Sequence, residues 1–129
     1  MSVSGDDFFK FANDCMQYDT EIAYRNAIGR SYYGLYHEVC SILKNCPETT
    51  HQGVAEYLLY RSWKGNEDYD KFDLKCLGTM LQQQHSKRKW ADYDLSRSIT
   101  KSEAIESIRV VEKMMNKIKL MTNVDRATS

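Results

Sequence analysis

Apolar residues recur along most of this chain three and four positions apart, the spacing that places side chains on one face of a helix. Phe8, Phe9, Phe11, Ala12, Cys15 and Met16 form the first such stripe, in a helix expected over Asp6–Asp19. Ser4 is placed to cap it, and Asp6 and Asp7 lie in its first turn, where negative charge suits the helix dipole. A second helix is expected from about Glu21 to Lys44, with Ile28, Tyr32 (or Ser31), Leu35, Val39 and Ile42 as its core face. Pro47 closes it, because the residue before a proline is pushed out of the helical region. Thr49 or Thr50 can cap a third helix running through His51, Val54, Ala55, Leu58, Leu59 and Trp63, followed by a polar loop over 64–68. A fourth is expected over about Tyr69–Lys89, with Phe72, Leu74, Leu77, Met80 and Leu81 as its apolar set, and Ala91–Ile99 then reads as a connector. Thr100-Lys-Ser-Glu103 is a capping-box pattern that opens a last helix through Ala104, Ile105, Ile108, Val111, Met114, Met115 and Ile118.

The pattern predicts an all-α antiparallel bundle of four to five helices in one domain over 1–122, with 123–129 as a flexible tail. Composition agrees: 42 % hydrophobic and 28 % charged residues suit an ordinary globular chain, and a single proline leaves long helices uninterrupted. Eighteen basic residues balance eighteen acidic ones, so any nucleic-acid contact has to come from a local patch rather than from the overall field. No apolar run approaches the roughly 20 residues that span a bilayer, and the first residues lack the form of a secretory signal. A cytoplasmic setting without membrane partners is therefore expected, with Cys15, Cys40, Cys46 and Cys76 as reduced, packed thiols.

Three groups of residues could carry chemistry. Arg30 and His37 are seven apart, within roughly 20° of one line along the second helix, and Gly34 lies between them. An arginine grips phosphate oxygens through paired hydrogen bonds, and an imidazole transfers protons near neutral pH. A mid-helix glycine costs about 1 kcal/mol relative to alanine, which close approach of another backbone or of a substrate would explain. The same stripe can equally be a helix edge with a snorkelling arginine and a glycine that eases packing. His85-Ser-Lys-Arg-Lys-Trp90, with Lys87, Arg88 and Lys89, is a local basic run that suits phosphate contacts, or simply a solvated helix end. Tyr24, Tyr32, Tyr33 and Tyr36 read most simply as core or interface. His37, His51 and His85 are far apart in sequence, and no metal-binding spacing, phosphate loop or nucleophile elbow occurs, so neither metal nor cofactor is expected.

The block Tyr24-Arg-Asn-Ala-Ile-Gly-Arg30-Ser-Tyr-Tyr-Gly-Leu-Tyr-His37 resembles the signature helix of small stand-alone HEPN-domain proteins. Thr50-His-Gln-Gly-Val54 and Arg88-Lys-Trp-Ala-Asp-Tyr93 are similar to that family's loop-to-helix and closing segments, so the resemblance spans about 6–120. It implies a bundle that forms a homodimer through the Arg30–His37 helix. It also implies metal-independent cleavage of RNA, single-stranded or tRNA, in a composite cleft to which both protomers bring arginine and histidine. Arg30 and His37 would then be catalytic, with Ser31, Tyr33, Gly34, His51, Lys87, Arg88 and Lys89 as RNA-binding or supporting residues. Many relatives are toxins or phage-defence proteins paired with an antitoxin or a nucleotidyltransferase, and others are non-catalytic binding modules. Ser31 stands where active members often carry Asn, Asp or His, and Val39 stands where some toxins carry a modifiable tyrosine.

Overall fold

In the computed structural model, which describes the backbone of residues 2–128 and the side chains of 2–123, the chain is an all-α bundle with no strand among the described residues. Its helices are α1 (Gly5–Cys15), α2 (Glu21–Ile42), α3 (His51–Tyr60), α4 (Lys71–Tyr93) and α5 (Lys101–Thr128), with a short π-helical turn, Ser62–Asn66, after α3. The expected tail falls mostly on 124–129, whose side chains lie outside those described.

Polar side chains set most of the helix starts. Ser4 and Asp7 exchange hydrogen bonds as a capping box, with the Ser4 amide donating to Asp7 Oδ2 at 2.8 Å. Thr20, Thr50 and Asp70 cap α2, α3 and α4 through their side-chain oxygens. At α5 the Thr100 amide donates to Glu103 at 2.8 Å and the Glu103 amide donates back to Thr100 Oγ1 at 3.2 Å.

α2 is the hub. It packs against α1, α4 and α5, while α3 packs on α4. Its length lets it serve two cores. The larger one gathers Tyr32, Leu35 and Val39 with Leu58, Leu74, Leu77, Leu81, Val111 and Met114. The smaller one gathers Ala27 and Ile28 with Cys15, Ala91, Ile99, Ala104 and Ile108. Gly78 admits α3 closely to α4: a Cβ there would lie 2.9 Å from the side chain of Leu58.

Four helix C-termini differ from expectation. α1 ends at Cys15 rather than Asp19, and α2 ends at Ile42. There the amides of Lys44 and Asn45 turn away to donate to the buried Glu67 carboxylate, both at 2.8 Å. α3 stops at Tyr60, because the backbone unwinds at Lys64 and Gly65, the latter at φ 90°, where a glycine is at no disadvantage. α4 runs on to Tyr93, through the start of the expected connector. Ala91 is buried in the smaller core, and the buried Arg25 guanidinium of α2 caps the α4 end. It donates to the carbonyls of Trp90 (3.3 Å), Ala91 (3.0 Å), Asp94 (3.1 Å) and Arg97. Phe72, expected inside, is 76 % exposed on the first turn of α4.

Candidate functional site

One turn of helix carries Arg30 to Tyr33, and one more carries Tyr33 to His37, so α2 presents all three along one edge. The Tyr33 ring is the centre. The guanidinium carbon of Arg30 lies 5.8 Å from its centroid and that of Arg88, from α4, lies 5.1 Å away. The His37 ring stacks on it at 6.4 Å and 23°. Two permanent cations and one imidazole therefore surround a single aromatic ring, whose negative face favours them there. His37 is exposed, and Arg30, Tyr33 and Arg88 are half-buried.

Arg88 is held in place from its own helix. Its Nε donates to Asp92 Oδ2 at 3.0 Å, and its Nη2 reaches the hydroxyls of Tyr33 and of Tyr93, the latter at 3.4 Å. The closing segment Arg88–Tyr93 thus serves as a buttress that aims one guanidinium at α2.

Behind this edge lies a stack that the sequence did not reveal. His51, the first residue of α3, is stacked on Tyr36 at 3.9 Å and 18°. Its other parallel neighbour is His85 at 5.6 Å and 12°, and His85 in turn stacks on Tyr32 at 5.3 Å. His51 Nδ1 and the Tyr32 hydroxyl are 2.7 Å apart. All three histidines of the chain, 37, 51 and 85, thus meet in one aromatic cluster.

Burial and local charge tune the cluster. Burial holds His51 below the ordinary imidazole pKa, with Arg88 and then His37 adding repulsion. Burial does the same to His85, helped by Lys89, His51 and Arg88. Both rings therefore favour the neutral form. Burial also raises the Tyr32 phenol, and it pushes Tyr36 up to about 12.

The expected site residues divide. Arg30, Tyr33, His37, His51 and Arg88 come together. Lys89 is exposed beside His85. Lys87 faces the other way and pairs with Glu106 of α5 at 3.8 Å. Ser31 is fully buried, and its hydroxyl donates to the Ile28 carbonyl at 3.0 Å, so it has no face toward a substrate. Gly34 is buried beneath α1, where a Cβ would lie 2.8 Å from the Gly5 carbonyl oxygen and 3.2 Å from the Phe9 nitrogen. Its close neighbour is the backbone of this same chain, and it gives no place to a ligand. Trp90, which looked free for stacking, has the Arg97 guanidinium 4.1 Å over its ring. His85 was visible only as the start of the basic run. Its spacing of three from Arg88, one turn of α4, was the available signal that the two share a face.

Next to Arg30 the surface changes character. Val3, Phe11, Tyr18 and Ile22 are all more than half exposed, and Phe11 and Arg30 both line a shallow apolar groove of about 540 Å³ that continues to Cys15 and Ile22. Among the described residues no group of three or more His, Cys, Asp or Glu is arranged to hold a metal ion, and no helix is long and apolar enough to cross a membrane. No protein-family model, curated protein or solved structure matches this chain.

Proposed function

We propose that this chain is a HEPN-type, metal-independent endoribonuclease that works as a homodimer on single-stranded RNA or tRNA, in a toxin–antitoxin or phage-defence setting. The observation that carries the reading is the arrangement about Tyr33, with Arg30, Arg88 and His37 all within 6.4 Å of one ring centre. Two guanidiniums suit a phosphodiester whose negative charge grows as a fifth oxygen bonds to phosphorus. An exposed imidazole suits a proton that must leave the RNA 2′-hydroxyl.

In this reading the 2′-oxygen bonds to phosphorus and the bond from phosphorus to the 5′-oxygen breaks. The 2′-hydroxyl proton passes to His37, and the leaving 5′-oxygen takes a proton from His37 of the second copy. The products are a 2′,3′-cyclic phosphate and a free 5′-hydroxyl, and no water is consumed in this step. Arg30 and Arg88 hold the non-bridging oxygens throughout. The exposed apolar strip of Phe11, Tyr18 and Ile22 beside Arg30 supports pairing of two copies next to the site.

The test is purified protein on mixed RNA with excess chelator. The expected result is chelator-resistant cleavage that leaves cyclic-phosphate ends and drops about 100-fold or more in His37→Ala, the scale of a lost general base. Wild type and His37→Ala equally inert, with both folded, would sink the reading. That outcome favours a non-catalytic module that binds a partner through the same apolar strip, for which Arg30→Ala would be harmless and Phe11→Ser disruptive.

A further inference from the structure

The Tyr32 side chain is wholly buried, and its hydroxyl has one hydrogen-bond partner among the described residues, His51 Nδ1 at 2.7 Å. A phenol kept from ionising by burial retains its proton, and that proton needs an acceptor. Among the described residues the acceptor in reach is the Nδ1 lone pair. If Nδ1 carried the hydrogen instead, the Tyr32 O–H would be left buried and unpaired. The arrangement that leaves no buried hydrogen unpaired has Tyr32 donating and Nδ1 accepting, with the hydrogen of the neutral imidazole on Nε2.

The rest of the His51 ring is engaged too. Tyr36 stacks at 3.9 Å, His85 lies parallel at 5.6 Å, and Tyr33 meets the ring edgewise at 6.0 Å. Among the described residues the polar position of the ring without a partner is Nε2, on a half-buried ring that has Arg88 of α4 and His37 of α2 nearby. An uncharged N–H donor thus stands near the Arg88 guanidinium.

We propose that His51 binds a phosphodiester oxygen of single-stranded RNA as a neutral donor through Nε2–H, and that Tyr32 is the positioning residue that keeps the hydrogen there. The phosphate contact rests on the ribonuclease reading; the tautomer does not. The assignment also separates the labour of the imidazoles. His37 is exposed and has no hydrogen-bond partner on either ring nitrogen among the described residues, whereas His51 gives a hydrogen bond without giving up its proton.

The experiment is long-range ¹H–¹⁵N NMR of the full labelled chain, first alone and then with a 2′-O-methyl oligonucleotide, which binds without being cleaved. Alone, His51 is expected in the Nε2–H form. Tyr32→Phe, which keeps the buried ring and removes only the hydroxyl, is expected to release it to a tautomer mixture, read from the ring ¹⁵N shifts. With oligonucleotide, the His51 Nε2–H signal is expected to shift. His51→Ala should weaken binding about tenfold or more, and His51→Gln, which keeps a neutral donor, should recover part of it. An Nδ1–H form in the free wild type overturns the proposal. Oligonucleotide binding with no response at His51 overturns the phosphate contact and leaves the RNA reading standing. No oligonucleotide binding at all overturns both the RNA reading and the contact.

Discussion

Replacing Gly34 by alanine sets two effects of opposite sign against each other. In an exposed helix the change would stabilise by about 1 kcal/mol, because alanine loses less backbone freedom. Here the new Cβ would lie 2.8 Å from the Gly5 carbonyl oxygen, 3.2 Å from the Phe9 nitrogen and 3.3 Å from the Phe9 Cβ. Two of those atoms are backbone of α1, so relief requires the whole helix to move outward. Overpacking of this kind costs about 1–3 kcal/mol. With backbone on the opposing side we take the upper part of that range, for a net loss of about 1–2 kcal/mol. At a denaturant slope of about 2 kcal/mol per molar urea, the unfolding midpoint should fall by about 0.5–1 M. Gly5→Ala meets the same seam from the other side, with its Cβ 2.4 Å from the Gly34 carbonyl oxygen. Once one substitution has moved α1, the second should cost less, so the double variant should lose less stability than the sum of the singles. The His37 ring offers a second readout, since Phe8 of α1 lies against it with ring centres 5.3 Å apart and its NMR signals should move with the helix. A rise in midpoint on Gly34→Ala would refute the reasoning, because it would mean that α1 does not rest on α2 through these glycines.

Two further outcomes concern stability. His51 and His85 both titrate below the ordinary imidazole value of 6.5, so the unfolded chain takes up protons before the folded one does as pH falls. Their contribution is present in full above 6.5 and is lost as pH falls through the depressed folded values; urea midpoints at pH 7.5 and 5 should show the drop, and replacing both by glutamine should remove that component of it. Arg25→Met should cost about 3–5 kcal/mol by leaving several carbonyls at the α4 end without their donor. Hydrogen exchange should localise the loosening to 94–99; protection there equal to wild type would contradict the cap.

What could be read from the sequence was what a single helix determines. The core face of α2 follows from the spacing of Ile28, Tyr32, Leu35, Val39 and Ile42; the first four are buried and Ile42, at the helix end, is partly so. The alternative offered at Ser31 proved to be an addition, since residues 31 and 32 both point inward at the junction of two cores. The capping box at Thr100 needed only four residues to be recognised. What escaped were properties shared by distant segments. The end of α4 depends on a guanidinium more than sixty residues earlier in the chain. The meeting of His37, His51 and His85 depends on how α3 and α4 lie against α2, and no spacing within one helix encodes that. At Gly34 the glycine did signal a close approach, but nothing local said that the approaching backbone would be α1 rather than a substrate or a second copy.

Arg25 has a bearing on the site from which it is absent. The segment bearing Arg88 ends in carbonyls gripped by α2, the same helix that bears Arg30 and His37. Both guanidiniums are thus surveyed from one benchmark, and an error in placing α3 or α5 shifts neither relative to the other. His51 has no such benchmark: it opens α3 after an irregular stretch, is capped by Thr50, and meets α2 through a hydroxyl and stacked rings. Its position is set by the Tyr32 hydrogen bond and the stacked rings. The candidate site therefore joins two guanidiniums referenced to one helix with an imidazole carried on a separate one, so a change in the α3 connection would move His51 and leave the charges where they are.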